Sequence, residues 1–394
     1  MPFSHKLMDD NITDKDVKSV KKLLDSKDKI FTQSKNVLAF EKAWSKWLDV
    51  KYSVFVNSGS SANLLTITIL KILKGRGEVI VPTLTWISDI ASVLQNNLDP
   101  VFVDINPRNL SMSENHIMKK VNKKTIALFI SHIQGFNGLS RNLLRYLKKK
   151  KIMLIEDVCE SHGATFNNKK LGTFGKISNF SFYYAHHMST IEGGMICTND
   201  KKIYHLAKVL RSHGMSREIG DRKMEKQIIK KNLQLSPDFI FLYPGYNVRN
   251  TEVGAVIGLS QLKSLDKNNN KRKKNLKVFL ENLDQNKYRV DFDTKGSCNY
   301  AFPVVLNVAN FKYWNKLAGT LKKNKIEFRK GNSGGGNQLR QPYLNSFRKK
   351  INLDDYKEVD HMHFFSCYIG NYPSLSLFKI KKICFILNSI NYEI

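Results

Sequence analysis

Short apolar runs rich in β-branched residues alternate with longer stretches whose apolar positions recur at helical spacing, over the first two-thirds of the 394-residue chain. That alternation predicts an α/β fold, a mostly parallel seven-stranded sheet covered by helices. The predicted strands are 53–56, 78–81, 101–103, 126–130, 153–155, 177–182 and 194–197. Helices are predicted over 15–26, 37–48, 60–73, 87–95, 139–150 and 201–213, the first with Thr13 as N-cap before Asp14 and Asp16. Segment 217–235 is charged and weakly periodic, and it reads as an extended loop or irregular insertion. From residue 250 a long helical pattern leads into strands near 301–306 and helices near 311–324 and 375–388. The expected division is a large α/β domain, 1–255, and a small C-terminal α+β domain, 256–394.

Composition narrows the class. Hydrophobic content is 42%, that of a globular protein, and no segment has the uninterrupted apolar length of a membrane span. The start, MPFSHKLMDDNITDKD, lacks the apolar core of a signal peptide, so a cytoplasmic enzyme is expected. The five cysteines are scattered with no paired spacing, which argues against a metal centre, an iron–sulfur cluster or a disulfide framework. A net charge of +30 raises the possibility of a nucleic-acid partner. The lysines are spread along the chain as solvated helix faces, without a recognition signature, so no nucleic acid is expected. Such a field would instead help recruit an anionic small molecule.

Six segments carry candidate chemistry. Asn57-Ser58-Gly59-Ser60-Ser61 follows a strand and opens a helix, where backbone N–H groups and hydroxyls suit a phosphate. Trp86 closes VIVPTLTW at the end of the next strand, where ligands bind open α/β sheets. Asp157 and Glu160 lie in IEDVCESHGA at a later strand end. NFSFYYAHHMSTIEGGMICTND, residues 179–200, holds Ser181, His186 and His187, with no lysine between Lys176 and Lys201. YPGYNVR contains Asn247 and Arg249. Near the C-terminus, Arg329, Asn332 and Arg340 frame a glycine-rich run able to grip a diphosphate or carboxylate.

In this order the segments resemble the DegT/DnrJ/EryC1/StrS family, fold type I of the pyridoxal-phosphate enzymes. In that family's frame, S-F, three residues, then a basic residue, the basic residue is the lysine that binds the cofactor covalently. Here it is His186, which can move protons but cannot form a stable imine, so the resemblance implies non-covalent pyridoxal or pyridoxamine phosphate. It further implies that Gly59, Ser60, Ser61 and Ser181 contact the phosphate, that Trp86 lies against the ring, that Asp157 pairs with the ring nitrogen, and that Glu160 lies near the 3-hydroxyl. Asn247 would reach the phosphate of the opposite subunit, which implies a homodimer. His187, Arg249, Arg329, Asn332 and Arg340 are the candidates for substrate contact.

The change from lysine to histidine and the string HHMSTIEGGM look like the sugar 3-dehydratases of the family. They act on nucleotide-linked 4-keto-6-deoxyhexoses in deoxysugar biosynthesis, with glutamate as an amino donor that restores the pyridoxamine form. One branch couples dehydration to an iron–sulfur cluster, and the scattered cysteines favour the cluster-free branch. GNQLRQPY nonetheless looks like the cluster-bearing branch, so GDP and CDP both stay open as the nucleotide. A sugar aminotransferase of the same family and a non-catalytic nucleic-acid-binding descendant are the competing readings.

Overall fold

The chain begins with two helices, α1 (Asp14–Leu24) and α2 (Lys35–Leu48), ahead of the first strand, in a computed structural model that describes residues 3–9 and 11–391. Thr13 caps α1 as its sequence implies: its hydroxyl accepts from the Asp16 N–H, and the Asp16 carboxylate accepts from the Thr13 N–H at 2.8 Å. For α2 no such local cap forms. Glu252, distant in sequence, accepts the N–H groups of Ser34, Asn36 and Val37 at 2.8–2.9 Å instead.

The large sheet then builds from β1 (Tyr52–Val56), β2 (Glu78–Pro82), β3 (Asp99–Val103), β4 (Thr125–Ser131) and β5 (Met153–Asp157), with α3 (Gly59–Lys74), α4 (Ile87–Gln95), α5 (Glu114–Lys120) and α6 (Arg141–Lys150) between them. A small hairpin, β6 (Thr165–Phe166) and β7 (Lys169–Lys170), precedes β8 (Ile177–Ser181), β9 (Gly194–Thr198) and α7 (Lys201–Arg211). Strand order is β1-β9-β8-β5-β4-β2-β3, parallel except where β9 runs against both of its neighbours. Both faces are buried. Along β4, Leu128 and Ile130 enter one apolar cluster while Ala127 and Phe129 enter another, the two-residue alternation of a covered sheet.

Residues 217–235 contain a helix, α8 (Arg222–Lys231), where an irregular loop was expected. None of its residues is buried, so there is no apolar stripe for a periodicity argument to find; good helix formers and the Asp221 cap, which accepts from Met224 N–H, sustain it.

α9 (Glu252–Asn282) runs continuously from one domain into the other. Ala255 and Leu265 lie in the core of the large domain, Leu276 and Phe279 in that of the small one. The expected boundary at 255/256 therefore falls in the first turn of a helix. The small domain holds α10 (Phe311–Lys323), α11 (Asn345–Arg348), α12 (Lys357–Phe365) and α13 (Leu377–Asn388) around an antiparallel sheet ordered β10 (Ala301–Val305), β12 (Ser366–Gly370), β11 (Phe328–Lys330). The start of the chain also belongs here: His5 Nε2 bonds the Gly370 carbonyl at 3.0 Å and Met8 joins the same cluster. Among the described residues no helix is long and apolar enough to cross a membrane.

Candidate active site

A cavity of about 490 Å³ opens at the C-terminal ends of β1, β2, β4, β5 and β8, walled on its far side by the small domain. Parallel strands bring these ends together, which is why residues as far apart in sequence as Ser58 and Ser181 meet there.

The turn from β1 into α3 supplies Ser58, Gly59 and Ser60. Ser58 is the N-cap, its hydroxyl accepting from Ser61 N–H at 3.0 Å. Gly59 is required by packing, because a Cβ there would lie 2.6 Å from Ser181 Cβ and 3.1 Å from Cys159 Sγ. Ser61, expected to bind phosphate, is engaged elsewhere: its hydroxyl donates to Asn57 Oδ1 at 2.6 Å, and it does not line the cavity. Ser58 lines it instead.

Trp86 ends the loop after β2 and lines the opening with 59% of its surface exposed, a large value for an indole. Asp157 closes β5. Its Oδ1 accepts from Cys159 N–H at 2.8 Å and its Oδ2 from Asn63 Nδ2 at 2.9 Å. Glu160 accepts from Gln134 N–H at 2.7 Å and from the Ser333 hydroxyl at 2.8 Å. Burial pushes its carboxyl up to about 7, against the opposing pull of those hydrogen bonds.

Ser181 and His186 come from β8 and the turn after it. His186 Nδ1 lies 3.3 Å from the Ser181 carbonyl, which can only accept, so the hydrogen sits on Nδ1 and Nε2 keeps its lone pair. Burial lowers the imidazole to about 4, which makes it a neutral ring at physiological pH. Among the described residues no lysine lines the cavity.

The expected substrate residues divide. Arg329 lines the cavity, with 62% of its side chain exposed and Glu327 at 3.5 Å as an ionic neighbour. Three others are structural. His187 is buried, its Nε2 on the Cys298 carbonyl at 2.8 Å and its ring stacked on His162. Asn332 is buried and donates to Ser366 Oγ at 2.6 Å. Arg340 grips Asp360 through two bonds of 2.7 and 2.5 Å over the Phe364 ring. Adjacent residues on a turn face opposite ways, and an arginine's motif says nothing about a carboxylate on another helix, so the partners of His187 and Arg340 could not be read from the sequence. Asn247 and Arg249 also lie outside this cavity, bonded to each other at 3.1 Å beside β1.

Ser131, His132, Tyr183, Tyr300 and Tyr368 also line the cavity, and none carried a signal in the sequence. Ser333 and Gly334 enter on the glycine-rich run, which docks by the Gln338 N–H bond to the Thr83 carbonyl at 2.9 Å. At Gly334, with φ of +57°, a Cβ would stand 1.9 Å from the Thr85 carbonyl oxygen.

The sequence profile of the DegT/DnrJ/EryC1/StrS aminotransferase family matches residues 10–384. The chain belongs to that family. It is 35% identical over 320 residues to GDP-4-keto-6-deoxy-D-mannose 3-dehydratase of Escherichia coli O55:H7, covering 80% of each chain. A solved structure of GDP-4-keto-6-deoxymannose-3-dehydratase, with a trapped PLP-glutamate geminal diamine, superposes with a TM-score of 0.86 at 30% identity, over 98% of this chain and 100% of that one. GDP-perosamine synthase of Escherichia coli O157:H7 is 30% identical over 274 residues, 70% of each chain.

The residues present suit pyridoxal or pyridoxamine phosphate. A capped helix N-terminus with Gly59 in contact with Ser181 makes an anion cradle, an exposed indole offers a flat wall, and Asp157 presents a carboxylate to the same space.

Proposed function

We propose that the protein is a pyridoxamine-phosphate-dependent 3-dehydratase of a nucleotide-linked 4-keto-6-deoxyhexose, with GDP-4-keto-6-deoxymannose as the first substrate to test. The observation that carries this reading is His186 at the anchor position, in a cavity without a lysine.

Ser58, Gly59, Ser60 and Ser181 hold the phosphate, Trp86 covers a ring face, and Asp157 keeps the ring nitrogen protonated through a charge-assisted hydrogen bond. Pyridoxamine phosphate, when bound, supplies an amine for the sugar's C4 ketone and a protonated ring that takes up the electron pair freed at its methylene carbon. His186 Nε2, unprotonated, would accept a proton at the bound cofactor's methylene carbon and could return it to the departing C3 hydroxyl, which would leave as water. Glu160, its carboxyl pushed up to about 7, can hold or release a proton at the cavity wall near neutral pH, and would lie near the cofactor's 3-hydroxyl. Arg329 meets an anionic end of the sugar nucleotide or of glutamate, the amino donor. Asn247 and Arg249 are offered to the cavity of a second subunit, so the working form is a cytoplasmic homodimer.

The test is incubation of purified protein with pyridoxamine phosphate, glutamate and a panel of GDP- and CDP-linked 4-keto-6-deoxyhexoses, with product mass as readout; release of a 3-deoxy sugar is expected. The second reading, a sugar aminotransferase, draws on the likeness to perosamine synthase. Borohydride reduction and peptide mass mapping separate the two, since a phosphopyridoxyl group on any lysine would sink the dehydratase reading.

A further inference from the structure

Behind Asp157 stands a second carboxyl that the mechanism does not use. Asp89, in the first turn of α4, has no exposed surface. Its Oδ1 accepts from Asn63 Nδ2 at 2.7 Å, and that same nitrogen lies 2.9 Å from Asp157 Oδ2. Its Oδ2 meets the Thr85 hydroxyl at 2.5 Å and the Ser131 hydroxyl, and these two hydroxyls are 2.9 Å apart. Asn63 is itself held by Asn179 Nδ2 at 2.9 Å, so its amide cannot swing from one acid to the other. Among the described residues no ion pair involves Asp89, Asp157 or Glu160.

Two carboxyls joined through one amide, one of them sealed from water, with no cation between them, repel one another if both carry charge. The wholly sealed member loses more solvation on ionising than the one bordering the cavity. We infer that Asp89 is a positioning residue for Asp157: the pair holds one proton, it resides on Asp89, and the charge faces the cavity on Asp157. Burial, and then the neighbouring Asp157, push the Asp89 carboxyl well above the ordinary carboxylate range, in agreement. The hydroxyls of Thr85 and Ser131 turn to accept as readily as to donate, so the neutral acid keeps its partners. The titratable groups facing the pair from other elements, Cys159, Glu160, His186 and Tyr343, bring it no fixed positive charge. The consequence for the cofactor is direct. A proton on Asp157 would set a donor against the ring N–H, whereas a proton parked on Asp89 leaves an acceptor there. This role rests on the reading that Asp157 meets the ring nitrogen.

The test uses the full chain with 13C-carboxyl-labelled aspartate, read by NMR at neutral pH with and without pyridoxamine phosphate, together with cofactor titration by absorbance. One neutral aspartic acid is expected in the unmodified protein, absent in Asp89→Asn and retained in Asp157→Asn. Asp89→Asn, an uncharged isostere, binds pyridoxamine phosphate within about threefold of the unmodified protein, while Asp157→Asn loses about 10- to 100-fold, the worth of a hydrogen bond to a charged group. Absence of any neutral carboxyl in the unmodified protein, a measurement that needs no variant to fold, overturns the inference. So does a signal that vanishes in Asp157→Asn, which would put the proton on the wrong member. If Asp157→Asn binds cofactor normally while the neutral acid still maps to Asp89, the ring contact fails and the positioning role falls with it, although the proton is where it was inferred.

Discussion

Replacing His186 by asparagine removes a cavity nitrogen with an available lone pair while keeping a side chain able to donate to the Ser181 carbonyl. The imidazole is neutral because burial holds it near 4, and its Nδ1 hydrogen is committed to that carbonyl, so Nε2 alone can take a proton. A positioned general base contributes about 100- to 10,000-fold to a proton transfer. At about 1.36 kcal/mol per tenfold, His186→Asn should raise the barrier by about 3 to 5 kcal/mol. Cofactor affinity should change little, because the phosphate cradle at Ser58–Ser60 and the Asp157 carboxylate sit on other elements. The assay is single-turnover release of the 3-deoxy product from protein loaded with pyridoxamine phosphate, beside an absorbance titration of the cofactor. Turnover within about tenfold of the unmodified protein would refute the reasoning and move the base elsewhere in the cavity. A collapse of cofactor binding would instead show that His186 is a holder of the cofactor.

His186→Lys places an amine in the same space and should trap cofactor covalently on borohydride reduction, with the modified residue located by mass mapping. Arg329→Ala should raise the KM for the sugar nucleotide about tenfold, the loss of one charge-assisted contact, with cofactor affinity unchanged; Arg340→Ala, whose guanidinium is spent on Asp360, should cost about 1 kcal/mol of stability in urea titration without that selective effect on KM. Arg211 Nη1 pairs with Glu41 Oε1 at 2.6 Å in the interior, so Glu41→Gln, which strands a buried charge, should lower stability by about 3 to 5 kcal/mol. His5 is buried and held near 4, below its unfolded value of 6.5, so the unfolded chain binds the extra proton between those limits. Stability from this group is therefore complete above about pH 6.5 and lost as pH falls toward 4, roughly 3 kcal/mol in all. Urea midpoints at neutral and acid pH should converge for a His5→Gln variant relative to the unmodified chain.

The seven strands of the large sheet were legible because each is a short apolar run bounded by polar turns, a pattern that burial on both faces imposes locally. Thr13 as a cap was legible for the same reason: its partner, Asp16, is three residues away. The frame around His186 carried the chemistry, since one residue's type decides whether a covalent anchor exists. What lay beyond the sequence were partners far apart in the chain. Glu252 caps α2 from more than two hundred residues away, and Tyr300 and Ser333 meet Glu160 from the other domain. Asp89 reads along the chain as an ordinary acid in a helix's first turn, and only the meeting of α4, α3 and β5 sets it against Asn63 and Asp157. His187 is the converse case, a neighbour of the anchor position in sequence whose ring the fold turns inward onto a carbonyl. Periodicity and motif fix which backbone ends converge; which side chains then share a proton or a pocket is set by packing across elements, and no local pattern encodes it.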